Sequence, residues 1–178
     1  MSLKELTKDN HERAEQTAFM KAVFKGALPI EFWADFTAQK YHIYQAIETV
    51  AGAVGLLAGL EGIERAPLLL ADYQEMNGTD PVAHLMTQEY VNYITSLKES
   101  PERVMAHLYT WHMGDLFGGQ MIKKIIPAPH RALDFENADL LKTAIRAKLN
   151  DSMAVEANIA FVWAIKLMNQ YKVKVLNI

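Results

Sequence analysis

Residues 109–120 place three glycines, Gly114, Gly118 and Gly119, inside a stretch whose apolar spacing otherwise predicts an α-helix. A glycine in a helix interior costs about 1 kcal/mol relative to alanine, so three within six residues need a packing or functional reason. Gly114 and Gly118 lie four residues apart, and the bare face they share would admit either a closely packed helix or a flat ligand. Packing alone does not explain Asp115 beside that face, because inward-facing carboxylates are rare unless they are paired or functional.

Composition limits the class of protein. The 178 residues are 51% hydrophobic and 22% charged, which predicts a single globular domain over residues 1–178. A net charge of −3 argues against nucleic acid as a partner. The absence of cysteine excludes disulfides and cysteine-ligated metal centres, and it fits the cytoplasm. We expect no membrane span, because the most apolar run, 51–60, is too short and neither the N-terminus nor 172–178 resembles a signal or an anchor.

Helical periodicity dominates the chain, and no strand pattern of useful length is visible. Prolines near several helix starts support the assignment, since a first turn tolerates the missing N–H. Asp80 and Ser100 are predicted N-caps, and Pro127 ends the fifth helix. The spacing predicts an all-α bundle with helices over 3–24, 30–55, 66–76, 81–98, 101–126, 137–150 and 153–172.

The most informative histidine is His11. Lys4, Lys8, His11 and Glu15 share one face of the first predicted helix. A neutral imidazole can ligate a metal ion while a carboxylate one turn away orients it, and the two lysines could pair with carboxylates of a ligand. The alternative is an ordinary solvated surface. A di-iron site is disfavoured, because the sequence has no Glu-x-x-His pair.

Lys142 and Arg146 lie one turn apart on the sixth predicted helix. Such a pair can clamp a ligand carboxylate, although it is also typical of a solvated face. Four aromatic residues fit either a core or a cofactor contact: Tyr41, Tyr44, Phe161 and Trp163.

Taken together, these segments resemble the heme oxygenase family. The matches occur in the family's order and cover nearly the whole chain. Residues 7–20 resemble the proximal helix, 41–44 the second-helix segment and 109–120 the glycine-rich distal helix; Lys142-x-x-x-Arg146 resembles the late basic pair.

The resemblance implies a role for each matched residue. His11 would be the axial heme ligand, with Glu15 orienting it. Asp115 would organise a distal water network that delivers protons, beside a wall formed by Gly114, Gly118 and Gly119. Contacts to heme and its propionates are implied for Lys4, Lys8, Tyr109, Lys142, Arg146 and Phe161.

The implied fold is an all-α bundle that holds heme between the N-terminal proximal helix and a glycine-kinked distal helix. Heme b would be cofactor and substrate, cleaved with O₂ to biliverdin, CO and ferrous iron. Electrons would come from an external donor such as reduced ferredoxin, and a bilin reductase could act downstream. A basic patch for that donor is predicted at Lys123, Lys124, Lys142, Arg146 and Lys148.

The sequence departs from the family pattern at four positions. Trp111 stands where many members have arginine, and His112 where they have tyrosine. Phe117 replaces a small serine, and Ala164 occupies a position where some members have asparagine. Phe117 and Ala164 keep an alternative open, a heme carrier or sensor that binds heme without cleaving it.

Overall fold

The computed structural model describes residues 1–174, which form α-helices and short 3-10 helices with no strand among them. The last part of the C-terminal segment 172–178 lies outside this range. The helices are α1 (Leu3–Leu6), α2 (Lys8–Glu15), α3 (Ala18–Phe24), α4 (Ile30–Ala53), α5 (Ala66–Asn77), α6 (Leu85–Ser96), α7 (Pro101–Ile125), α8 (Ala138–Arg146) and α9 (Ala154–Asn169). The all-α prediction is confirmed, and the end of the fifth predicted helix before Pro127 agrees.

The predicted single helix over 3–24 is wrong, because two threonines interrupt it. Thr7 leaves helical geometry between α1 and α2, with its hydroxyl donating to a carbonyl of α1. Thr17 is extended and caps α3, since its Oγ1 accepts a hydrogen bond 3.2 Å long from the Met20 amide. As a result, His11 lies on an eight-residue helix of its own.

The helix predicted over 81–98 begins four residues later, so Asp80 is not its N-cap. The buried Gln39 side chain accepts from the His84 amide and donates to the Val82 carbonyl, each at 2.9 Å. These bonds hold the segment extended, and His84 becomes the N-cap residue. At the start of α7, Ser100 does occupy the N-cap position, but its side chain makes no capping bond.

The last two helices are shorter than predicted. α8 ends at Arg146, and the Asn150 side chain caps the 3-10 helix Asp151–Met153 that leads into α9. α9 ends at Asn169, so residues up to 172 do not extend it.

One cluster of buried apolar side chains draws on every α-helix except α2. α4 and α7 cross its centre, and α9 packs against α2, α3 and α7. α2 contributes no buried residue, so it is an outer helix carried by α9. Among residues 1–174, no helix combines the length and the apolarity needed to cross a bilayer.

Candidate active site

The residues predicted to lie on the proximal side are found on the outer face of α2. The His11 side chain is 58% exposed, its Nε2 lies 3.7 Å from Glu15 Oε1, and its ring meets Phe161 edge-on at 5.9 Å. This distance to Glu15 is too long for a direct hydrogen bond between the two side chains. A depression of about 460 Å³ is lined by Ser2, Lys4, Glu5, Lys8, His11, Glu12 and Glu15. The structure therefore brings the predicted lysines, histidine and glutamate together.

Two asparagines fix α2 against α9. Asn10 donates to Asn158 Oδ1 at 2.9 Å, and Asn158 donates in turn to the Leu6 carbonyl at 3.2 Å. Since Phe161 follows Asn158 on α9, the same helix that anchors α2 also supplies the ring beside His11.

The distal side is the middle of α7, which passes through all three glycines without a break. A Cβ added to Gly114 or Gly118 would meet no atom within 4 Å, so the backbone there faces open space. A Cβ on Gly119 would lie 2.9 Å from Leu133 Cδ2. The Cβ direction of Gly119 is therefore filled by packing, whereas Gly114 and Gly118 leave bare backbone that a flat ring can approach. That the three glycines line a ligand wall stays a prediction.

Asp115 is buried between α7 and α4. Lys40 Nζ donates to Asp115 Oδ1 at 2.7 Å, and the Tyr44 hydroxyl donates to Oδ2 at 2.6 Å while lying 2.9 Å from the Trp111 carbonyl. Burial, followed by the nearby carboxylate charge of Asp115, raises the pKa of Tyr44 well above its ordinary value. Tyr44 therefore keeps its proton and acts as a donor to Asp115.

Sequence reasoning missed Lys40, because a lysine in a long helix usually indicates a solvated face. The available signal was its spacing: Phe36, Lys40 and Tyr44 follow one another at four-residue intervals, so they share a face. Lys40 Nζ lies 5.9 Å from the centre of the Phe36 ring and 5.1 Å from that of Tyr44. The ammonium is thus enclosed by two rings and one carboxylate.

Phe117 joins the distal helix to the predicted basic pair. Its side chain is partly exposed, with Lys142 Nζ 4.3 Å and Arg146 Cζ 5.4 Å from its ring centre. Both distances are within cation–π range. Tyr109, also on α7, is half-buried and makes no side-chain hydrogen bond within residues 1–174.

Two departures from the family pattern face into the protein. Trp111 donates from Nε1 to the Tyr90 hydroxyl at 2.9 Å. The His112 ring is fully buried, with Nδ1 3.2 Å from the Leu108 carbonyl and Nε2 3.2 Å from Glu48 Oε2. Both side chains therefore link helices and do not enter the open face of α7.

A second buried network continues from Tyr90. Its hydroxyl, which accepts from an indole N–H, lies 2.6 Å from His107 Nδ1, so the His107 proton is on Nε2, 2.9 Å from Glu156 Oε1. Burial lowers the pKa of His107 below its ordinary 6.5. Burial alone would raise the pKa of Glu156, but hydrogen bonds from His107, Tyr93 and Arg103 outweigh it and lower that pKa to about 2.

The four aromatic candidates divide between core and site. Trp163 stacks on Tyr90 with ring centres 4.8 Å apart, and Tyr41 is half-buried against the core. Tyr44 bonds to Asp115, and Phe161 meets His11. Of these four, Tyr44 and Phe161 therefore contact residues predicted for the site.

The structure is thus an all-α protein with an exposed histidine in a depression lined by lysines and glutamates on α1 and α2, and with bare glycine backbone beside a buried carboxylate on α7. A family model described as "Heme oxygenase" matches residues 1–142, so the chain belongs to this family. It is 33% identical to heme oxygenase 1 of Gallus gallus over 172 residues, which cover 83% of this chain and 58% of that protein. The chain spans less than two thirds of the length of this relative and of the heme oxygenase 2 proteins of Macaca fascicularis and Rattus norvegicus, to which it is also similar.

Solved structures agree with the fold. The heme oxygenase of Leptospira interrogans is similar with a TM-score of 0.84 and 26% identity, covering 96% of this chain and 100% of that one. Heme oxygenase-1 of the cyanobacterium Synechocystis, in complex with heme, has a TM-score of 0.85 and 25% identity over 96% of this chain and 90% of its own. The predicted resemblance and fold class are confirmed, and these matches do not favour a carrier.

Proposed function

We propose that this chain is a heme-degrading oxygenase. It binds heme b between α2 and α7 and, with O₂ and an external electron donor, converts it to biliverdin, CO and ferrous iron. The observation that carries the proposal is the buried Asp115 carboxylate, held by Lys40 and Tyr44 beside the open backbone of Gly114 and Gly118. Heme storage requires affinity alone, whereas ring cleavage requires a proton-delivering group fixed next to the ring.

Each side of the site has its own task. His11 binds the iron through its exposed imidazole, with Glu15 orienting the ring and Phe161 supporting its edge. Heme supplies the iron at which O₂ is reduced and the ring carbon that is oxidised. On α7, Gly114 lets the macrocycle lie against backbone, and Asp115 moves protons through water towards it.

The basic side chains bind the heme propionates and so set the orientation of the ring. Lys142 and Arg146 are held together over Phe117, and Lys4 and Lys8 flank His11. Charge-assisted bonds to carboxylates combine affinity with direction. Tyr109 is the remaining group that we assign to this rim. Orientation then decides which meso carbon is nearest to the distal water.

The first test is a hemin titration followed by turnover. A Soret band should grow on binding; adding ferredoxin, its reductase and NADPH in air, with catalase present, should replace it with the broad red absorption of biliverdin. His11→Ala should abolish the wild-type heme spectrum, whereas His130→Ala, an exposed histidine on another segment, should not change it. Asp115→Asn should bind heme and fail to release biliverdin.

Either of two results would contradict the proposal. A wild-type heme complex that is reduced by two different donors, yet remains uncleaved in air, is a carrier. A protein that shows no Soret change at all does not use this site for heme.

We further propose that the donor is an acidic ferredoxin that docks on the basic patch Lys123, Lys124, Lys142, Arg146 and Lys148. Lys123 is already paired with Asp134 at 3.0 Å, and two others belong to the propionate rim. Lys124→Glu with Lys148→Glu therefore tests docking alone. Turnover with ferredoxin should fall and lose part of its salt dependence, while Lys98→Glu, an exposed control, should have no effect. Equal rates for all three proteins would exclude this patch.

We propose the cytoplasm as the compartment, since a chain without cysteine suits a reducing environment. Biliverdin released there would be a substrate for a bilin reductase.

A further inference from the structure

We propose that Lys40 is the positioning residue of the distal carboxylate: it fixes the orientation of Asp115 and supplies the positive charge that position 111, one turn before Asp115, does not. The inference rests on the proposed function for its catalytic consequence. Its geometric part stands on the apoprotein alone.

The first argument is burial. Lys40 and Asp115 are each 6% exposed, and their charged atoms are 2.7 Å apart. Removing two charges from water is costly, and one buried charge without its partner costs more than the pair. Lysine is almost never fully buried unless it is paired. Within residues 1–174, Asp115 is the one hydrogen-bond partner of the Lys40 ammonium.

The second argument is that the two donors use different oxygens. Lys40 bonds Oδ1 and Tyr44 bonds Oδ2, so the carboxylate is held at both ends and cannot rotate without losing a bond. The Tyr44 hydroxyl also lies 2.9 Å from the Trp111 carbonyl, but its single proton is given to Asp115 Oδ2, the nearer acceptor at 2.6 Å. An ammonium has three N–H donors, and Asp115 takes one. The other two have no partner within residues 1–174, and under this proposal they would bind the water that passes protons from Asp115.

The third argument is the position of charge. Residue 111 lies one turn before Asp115 on α7, where a basic side chain could reach that carboxylate. This chain has Trp111 there, and its indole donates to Tyr90. The cation instead comes from α4, through Lys40. α4 therefore positions Asp115 with both a charge and a hydroxyl.

The test compares Lys40→Met, Lys40→Arg and a matched control, Arg131→Met. Arg131 also pairs with a buried carboxylate, Asp72, at 3.0 Å, but outside the site. In the heme-free protein we follow the NMR signal of the Tyr44 hydroxyl proton, which reports its bond to Asp115. Lys40→Met should shift or broaden this signal, and Arg131→Met should leave it unchanged.

With heme bound, Lys40→Met should lower kcat by roughly 10- to 100-fold, the size expected when a reacting group is misplaced by about an ångström. KM for the electron donor should not change, because the defect is not in docking. The pH dependence of the ferric heme spectrum should also move, since the charge next to the distal water has changed. Lys40→Arg should recover part of kcat because it retains the charge.

Three outcomes would overturn the role of Lys40. The first is an unchanged Tyr44 signal in Lys40→Met. The second is equal loss of kcat in Lys40→Met and Arg131→Met, which would indicate general destabilisation. The third is wild-type kcat in Lys40→Met. Failure of wild-type protein to cleave heme would refute the proposed function instead, while the heme-free signal would still decide whether Lys40 positions Asp115.

Discussion

At the residue scale, Gly114 and Gly119 are the same residue type with opposite surroundings. Gly114 is exposed on α7 and a side chain there would enter open space, whereas Gly119 is pressed against Leu133. Glycine lowers helix stability at both positions, but the structural reason for it differs. Gly114 leaves an open backbone surface, which we propose heme covers, and Gly119 lets the segment containing Leu133 pack closely.

Alanine substitutions at Gly114 and Gly119 should affect stability and heme affinity differently. Gly114→Ala should stabilise the heme-free protein by up to ~1 kcal/mol through helix propensity, and it should weaken heme binding because a methyl group fills the open face. Gly119→Ala should be less stable than Gly114→Ala by about 1–3 kcal/mol through overpacking, with heme affinity retained. Urea unfolding and hemin titration measure the two effects. Equal heme affinities would show that the open face is not used.

The sequence allowed prediction of those candidate site residues that stand in a local pattern. It did not allow prediction of Lys40, the partner of Asp115 on another helix. The glycine spacing, Asp115 and the face containing His11 were all accessible, because each depends on a few consecutive turns. Lys40 lies 75 positions from Asp115. Nothing local distinguishes it from a surface lysine, since its burial depends on how α4 and α7 cross.

At the element scale, α7 and α8 are joined by the contact of Phe117 with Lys142 and Arg146. α8 is a short helix with Leu141 and Ile145 as its buried residues, so its exposed face is free to move unless something orders it. Phe117 orders the two basic side chains by attraction to its ring. Phe117, which stands where the family pattern has serine, thus contacts the two basic side chains that we propose bind the heme propionates.

Phe117 should therefore control which biliverdin isomer is produced. Phe117→Ser should release both basic side chains, so heme binds in more than one orientation and turnover gives a mixture of isomers on chromatography. Phe117→Leu keeps apolar bulk but removes the cation–π attraction, worth about 0.5–1 kcal/mol at an exposed site. If Phe117→Leu yields the wild-type isomer alone, bulk and not the ring sets the orientation.

Helix boundaries were the weakest part of the sequence-based fold. Apolar spacing alone continued the first helix through Thr7 and Thr17, although both hydroxyls end or begin helices in the structure. It also predicted that the helix corresponding to α6 begins at Pro81, where a hydrogen bond from the distant Gln39 keeps the chain extended. Capping side chains compete with helix continuation, and a periodicity argument does not weigh them.

At the scale of the whole molecule, the Glu156 network ties three helices together. Tyr93 lies on α6, Arg103 and His107 on α7, and Glu156 on α9. Neutral His107 and ionised Glu156 are the protonation states that this network requires. The free energy of unfolding should therefore depend on pH through His107 and Glu156, which are not part of the candidate active site.

The free energy of unfolding should fall as pH decreases. Below about 6.5 the unfolded state protonates His107 before the folded state does, and between 4.5 and about 2 the same holds for Glu156. Both groups contribute stability at neutral pH that acid removes. Urea unfolding at several pH values measures this slope. Glu156→Gln should be less stable at neutral pH and flatter below pH 4.5, whereas the exposed Glu89→Gln should follow the wild-type curve.

The outer position of α2 has a consequence for the order in which the molecule becomes rigid. A helix of eight residues with no buried side chain cannot persist by itself, so His11 is presented only while α9 holds α2 in place. Backbone amides of α2 should exchange with deuterium long before those of α7. If heme binds to His11 as we propose, it should slow that exchange, because binding would stabilise α2 in the position that α9 gives it.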